Sequence, residues 1–184
     1  VAADPPSAWI TTERLRLRRP VAGDARRYFE IHSDPRTFHH LPSAAMRDES
    51  EASARLDTWR RHWDEHGFGY AVVETTADAA VVGFAGLCHV RLADHDVLNL
   101  YYRFDPAHWG RGLATEAGRA VVDELVRRLP GHPVVARIAR NNPSSIRVAE
   151  RLGMQRDGLQ DPDDPVPHWI YTTSPLEGRH PGAT

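Results

Sequence analysis

Asp105-Pro106-Ala107-His108-Trp109-Gly110-Arg111-Gly112-Leu113-Ala114-Thr115-Glu116-Ala117 is the stretch on which the reading of this chain turns. Residues 97–104 before it favour a strand, and the stretch itself breaks both the two-residue and the 3.6-residue period. Behind it Leu113, Ala117, Val121, Leu125 and Leu129 recur every four residues, the apolar stripe of a helix that Pro130-Gly131 closes. Gly110 and Gly112 therefore let the backbone turn tightly just where a helix exposes its unpaired N–H groups. Such a turn suits a phosphate or pyrophosphate, which the amides and the helix dipole both attract. A plain capping turn that binds nothing is equally open. A dinucleotide fingerprint fits less well, because Thr115 stands where that motif wants glycine or alanine and meandering strands precede the turn.

Working outward, residues 13–19 alternate Leu15 and Leu17 with Arg14, Arg16 and Arg18, which predicts a half-buried strand. Asp24 is a helix N-cap for a short helix carrying Tyr28, Phe29 and Ile31, which must stop near Asp34-Pro35. A second helix is predicted over residues 49–66, with Gly67 ending it. Strands follow at 70–74, 81–90 and 97–104, with hairpin-length polar connections. After the glycine turn and its helix, a strand at 134–139 leads to Asn142-Pro143, an N-cap followed by a favoured first helical residue. That helix ends at Gly153, and strands at 154–157 and 169–173 finish the domain. The order implies an α/β (α+β) fold, a mixed and mostly antiparallel sheet of about seven strands with flanking helices. Residues 9–174 read as a single domain, with disordered tails at 1–8 and 175–184.

Composition narrows the chemistry. The 184 residues hold 23 positive and 25 acidic side chains, and every positive one is arginine. Without lysine there is no Schiff-base nucleophile and no G-x-x-x-x-G-K-[ST] phosphate loop. Cys88 is the single cysteine, so an intrachain disulfide, a multi-cysteine zinc site and a cysteine-ligated iron–sulfur cluster are excluded. A net charge of -2 gives no basis for a nucleic-acid partner. The longest mostly apolar run, 79–88, is about half of what a bilayer-spanning helix needs. A protein of the cytoplasm without membrane contact is therefore expected, as a monomer or homodimer. His62-Trp63-Asp64-Glu65-His66 matches H-x-x-E-H, but with Gly67 ending the helix and no evident third ligand nearby it reads as a solvated helix end, and no metal is expected.

Three blocks bring a family into view. Residues 105–117 resemble the acetyl-CoA loop of the GNAT superfamily of N-acetyltransferases, in its branch of ribosomal-protein N-terminal (Rim-type) acetyltransferases. Asn142-Pro143-Ser144-Ser145-Ile146-Arg147-Val148-Ala149-Glu150-Arg151-Leu152-Gly153-Met154 is similar to that branch's N-x-x-S-x-R-V-x-E-x-x-G-hydrophobic segment, and Thr12-Glu13-Arg14-Leu15-Arg16-Leu17-Arg18 to its first strand. The resemblance implies acetyl-CoA as co-substrate and a sheet splayed between the strands at 97–104 and 134–139. It implies that the backbone N–H groups of Trp109, Gly110, Arg111, Gly112, Leu113, Ala114 and Thr115 hold the pyrophosphate, with a side-chain contact from Arg111 and with Arg103, Arg119 and Arg147 behind it. The strand edge at Tyr102, Arg103 and Phe104 would pair with the pantetheine amides. Asn142 and Ser145 would flank the thioester, the Ser145 hydroxyl meeting the departing thiolate.

The resemblance also implies the acceptor, a primary amine on a protein N-terminus or a small molecule, reached from residues 34–48 and 160–167, where Phe38, His39, His40 and Leu41 form a wall. Many members of the family carry a glutamate on the fourth strand, but the matching position holds Asn99, whose amide cannot accept a proton. This leaves Asp164 and His168 as other candidates for the base and keeps open a catalytically silent acyl-CoA sensor. An α-amine with pKa near 8 is already roughly a tenth unprotonated at neutral pH, so a weak or water-mediated base suffices.

Overall fold

In a computed structural model, residues 7–42, 45–159 and 167–176 are described. Asp164, most of the 160–167 segment and most of both tails lie outside these residues. Eight strands form one sheet in the order β1-β2-β3-β4-β5-β6-β8-β7. They are β1 (Ala8–Thr11), β2 (Leu15–Arg18), β3 (Tyr70–Thr75), β4 (Val81–Leu92), β5 (His95–Phe104), β6 (Val134–Ala139), β7 (Gln155–Asp157) and β8 (His168–Thr172). The helices are α1 (Ala25–Ser33), α2 (Pro35–Phe38), α3 (Glu49–His66), α4 (Leu113–Arg128) and α5 (Pro143–Arg151). No helix among the described residues is long and apolar enough to cross a membrane.

Side-chain caps set the starts of α2, α3 and α5, whereas Asp24, expected to cap α1, makes no side-chain cap there. The Asp48 carboxylate accepts from the Glu51 N–H at the start of α3, and Gly67 ends that helix at φ 72°, in the left-handed region glycine tolerates. Near Asp34-Pro35 the chain does leave α1, as expected. It then starts the short α2, because Asp34 caps the Arg36 N–H and Pro35 suits the first helical position.

Only β5 and β6 run parallel, joined by the α4 crossover, while every other pair is antiparallel. The β5–β6 ladder consists of just Leu98↔Val134 and Asn99↔Val135, after which the two strands diverge. This is the splay that the family resemblance implies. The eighth strand is β1, too short to show a period in the sequence.

Both faces of the sheet are covered. On one, β-strand side chains such as Leu98, Leu100 and Ile138 pack with Leu113, Ala117, Val121 and Leu125 of α4. On the other, Phe84 and Val72 pack with Tyr28 and Ile31 of α1 and Leu56 and Trp59 of α3. Arg18 is therefore not a solvent-facing residue of a half-covered strand. It is buried, with Nε donating to Glu74 at 2.5 Å and its two terminal nitrogens donating to Asp24 at 2.9 and 2.7 Å. Asp24 also accepts from the Val21 N–H at 2.7 Å, so one triad ties the start of α1 to the sheet.

Candidate active site

Where β5 and β6 part, a cleft of about 520 Å³ opens, lined by β5 from Leu100 to Phe104, the glycine turn, β6 from Ala136 to Ala139 and the start of α5. Arg36, Thr37, His39, His40 and Leu41 close it on one side, with His168 of β8. Alternation along β5 splits its side chains between the two faces of the sheet. Leu100, Tyr102 and Phe104 belong with the α4 face, while Tyr101 belongs with the α1/α3 face.

The α4 face carries the glycine turn. Gly110 and Gly112 take φ of 76° and 77°, and Gly112 is the residue from which α4 starts. The Trp109 N–H is engaged by the Pro106 carbonyl, but the N–H groups of Gly110, Arg111, Gly112, Leu113, Ala114 and Thr115 donate to no protein acceptor among the described residues. Six successive free amides at the N-terminus of a 16-residue helix can hold a diphosphate. The turn is braced from the first strands, with Thr12 Oγ1 donating to Glu116 at 2.6 Å, Arg14 Nε donating to the same carboxylate at 2.7 Å and Arg14 Nη1 donating to the Arg111 carbonyl at 2.9 Å. These contacts hold Glu116 below the usual carboxylate range, against the opposing effect of its partial burial. They also join the 12–18 and 105–117 blocks in space.

Tyr102 donates its phenol to the Ser145 carbonyl at 3.0 Å, and burial pushes its pKa up to about 12. Asn142 Oδ1 accepts from the Ser145 N–H at 3.1 Å, so Asn142 caps α5 while also lining the cleft beside Ser145. Trp109 is exposed and its indole donates to the Phe104 carbonyl at 2.8 Å. Arg111 is exposed and outside the cleft lining, its carbonyl rather than its side chain being held. Arg119 donates to the Arg151 carbonyl, and Arg147 lines the cleft mouth.

The α1/α3 face carries titratable groups that the sequence reading did not connect. His32, buried on α1, stacks on Tyr28 at 3.7 Å between centroids. Its Nδ1 lies 2.8 Å from the Tyr28 carbonyl, which can only accept, so Nε2 is the acceptor for the Tyr101 hydroxyl at 2.5 Å. Burial, then the Arg103 charge, holds His32 well below its ordinary pKa. His40 is pushed down to about 4 by burial, then by Arg103, His39 and His168. Asn99 is outside the cleft lining; its Nδ2 donates to the Tyr70 hydroxyl at 2.8 Å, and its buried Oδ1 has no partner among the described residues.

Cys88 is buried in β4 with its thiol pushed up to about 12 by desolvation, so it carries no thiolate at neutral pH. In the H-x-x-E-H stretch, His62 uses both ring nitrogens internally, Nδ1 donating to the Phe68 carbonyl at 2.9 Å and Nε2 accepting from the His89 N–H at 3.1 Å.

A parallel pair that parts beside a run of free amides at a helix start is a specific arrangement, and residues 14–155 match the Acetyltransferase (GNAT) domain. The chain belongs to the GNAT acetyltransferase family. It is 27% identical over 146 residues to the uncharacterised protein YkkB of Bacillus subtilis, covering 79% of this chain and 84% of that one. It is 25% identical over 158 residues to the [Ribosomal protein uS5]-alanine N-acetyltransferase of Escherichia coli, covering 83% and 81%. The crystal structure of an acetyltransferase from Agrobacterium tumefaciens superposes with a TM-score of 0.76 at 26% identity, covering 90% of this chain and 93% of that one. The GNAT architecture read from the sequence, with its Rim-type resemblance, thus stands, and the protein is an acetyltransferase. Its sheet has eight strands rather than about seven.

Proposed function

We propose that the protein transfers the acetyl group of acetyl-CoA to a primary amine by direct attack in a ternary complex, and that the acceptor is the α-amine of a protein or peptide N-terminus. The observation that carries this reading is the two-residue β5–β6 ladder, because its early end leaves one slot reachable from both faces of the sheet. The amides of residues 110–115 would take the diphosphate, and the free edge of β5 would pair with the pantetheine arm as an added strand does. The amine nitrogen then meets the thioester carbonyl from the α1/α2 side. Its lone pair forms the C–N bond, the C–S bond breaks, the nitrogen loses a proton and the thiolate gains one.

Ser145, which lines the cleft, would meet the departing thiolate, and Tyr102, protonated at neutral pH, holds the Ser145 carbonyl. No strong base is required for an α-amine, since roughly a tenth of it is neutral at pH 7. The similarity to an enzyme named for a ribosomal-protein alanine supports the choice of an α-amine.

The test is twofold. Acetyl-CoA should raise the melting temperature, and free-thiol release should appear with one or more N-terminal peptides. Ser145→Ala should lower kcat about tenfold or more while the acetyl-CoA shift persists. Absence of any stabilisation by acetyl-CoA would sink the reading.

A further inference from the structure

Arg103 sits on β5 inside the cleft, half-buried, and its guanidinium makes no hydrogen bond or ion pair among the described residues. This sets it apart from the other buried or half-buried arginines, Arg16, Arg18, Arg19, Arg27 and Arg60, each of which faces a carboxylate, whereas Arg147 and Arg151 in the same lining are exposed. By the alternation of β5 its side chain lies with Tyr101, away from Tyr102 and the glycine turn. Its charge is felt by Tyr28, His32, His40 and Tyr101, which places it electrostatically on the α1/α2 side. From the facing strand, Arg137 alternates out of the apolar α4 face and also lines the cleft, and its charge reaches Tyr70.

No aspartate or glutamate among the described residues lines the cleft. The carboxylates nearest in sequence to Arg36 and Arg103, Asp34 and Asp105, are already taken by Arg36 and Arg27. The neighbouring imidazoles of His32 and His40 stay neutral at pH 7, so they neither cancel the positive field nor add to it. A partly desolvated guanidinium without a counter-ion is costly by itself and is a favourable partner for an arriving anion, which its fork can hold through two hydrogen bonds.

Resting on the acetyltransferase reading above, we infer that the acceptor amine carries a carboxylate close to its amino group and that Arg103 binds this carboxylate. An α-amino acid supplies such a group from its own backbone, and a peptide supplies it from an acidic residue next to the N-terminus. Both present one anion a few ångströms from the attacking nitrogen. A polycationic amine would instead bring a second positive charge beside Arg103. At about 6 Å and an effective dielectric constant of about 20, that repulsion corresponds to roughly 100-fold in kcat/KM.

The experiment measures free-thiol release by the full chain with acetyl-CoA and three sets of amines. The sets are free amino acids against their carboxamides, peptides of one N-terminal residue followed by Asp-Asp, Asn-Asn or Arg-Arg, and spermidine with an aminoglycoside. The expected result is a kcat/KM about tenfold or more higher for the anionic member within the first or second set, and the set that responds identifies the source of the carboxylate. Arg103→Glu should abolish or reverse the preference, Arg103→Lys should keep part of it, and both should retain the thermal shift with acetyl-CoA. Turnover that ignores acceptor charge, a preference for cationic amines, or a preference that survives Arg103→Glu overturns the inference. Loss of the acetyl-CoA shift in a folded Arg103→Gln variant would make Arg103 a cofactor-phosphate ligand and overturn it too. No thiol release with any amine overturns the acetyltransferase reading itself, and the inference falls with it.

Discussion

The two faces of β5 are built on opposite principles. On the α4 face the site is made of backbone: six amides in a row, set by two left-handed glycines and the start of a helix. On the α1/α3 face it is made of side chains delivered by separate elements, His32 from α1, His40 after α2, Tyr101 and Arg103 from β5 and Arg137 from β6. A backbone site is tolerant of most surface substitutions but intolerant of any change in its turn. A side-chain site can be retuned one residue at a time, which suits the part of an enzyme that selects its acceptor.

The contrast can be broken first at its foundations. Arg18→Ala leaves Asp24 and Glu74 buried without their shared cation, and should cost about 3–5 kcal/mol of stability by chemical denaturation. Because this triad anchors α1, the acceptor side should loosen first, with hydrogen exchange rising in α1 before it rises in α4. On the other face the matching brace is Glu116. Glu116→Ala removes the carboxylate that holds Thr12 and Arg14 to the start of α4, leaving only the Arg14 bond to the Arg111 carbonyl, and should raise KM for acetyl-CoA about fivefold to tenfold, with acceptor KM nearly unchanged.

Acidity separates the faces more gently. His40 has its pKa pushed down to about 4 in the fold, against about 6.5 in an unfolded chain, so the folded state takes up fewer protons between those values. The stability that this contributes is fully present above about pH 6.5 and is lost as pH falls through about 4. Thermal melts over that window should therefore show a fall that His40→Gln flattens in part; a melting temperature independent of pH would contradict the burial assigned to His40. Cys88→Ala should have the smallest effect, leaving turnover within about twofold, since its thiol is protonated and buried in β4. Complete loss of activity in a folded Cys88→Ala protein would point instead to a covalent acetyl-enzyme.

Much of the scaffold was legible because local signals were strong. The α3 bounds coincide with 49–66, since Asp48 and Gly67 are both capping residues, and β6 coincides with 134–139 between a proline and two asparagines. The ends of β4 and β5 ran longer than expected, to Leu92 and from His95, because cross-strand pairing extends a hairpin past its apolar residues. The strand β1 was missed because four residues next to a proline-rich end carry no measurable period.

The site divided in the same way. The turn and its run of unpaired amides follow from glycine positions and helix start, both local, and were legible from residues 105–117 alone. The Tyr101–His32 hydrogen bond spans 69 positions of sequence, and no spacing rule relates them. Arg103 stands among the arginines offered for the phosphates of a lysine-free chain, and strand alternation, which sequence shows only once the strand is paired, puts its side chain on the face of Tyr101. Asn99, the position that matches the family's glutamate, hydrogen-bonds Tyr70 and is not in the cleft lining, a partner that only strand pairing reveals.

Length, a lysine-free composition, the single cysteine and the glycine turn are properties of the chain itself. They determined the fold class, the place of the glycine turn before α4 and the absence of lysine chemistry before any packing was considered. Which side chains meet across the gap between β5 and β6, which imidazoles stay neutral and which half-buried arginine faces no carboxylate among the described residues were decided only by the tertiary structure. Burial and charge proximity act through space, and residues far apart in sequence acquire them only when the sheet has formed and its two central strands have parted.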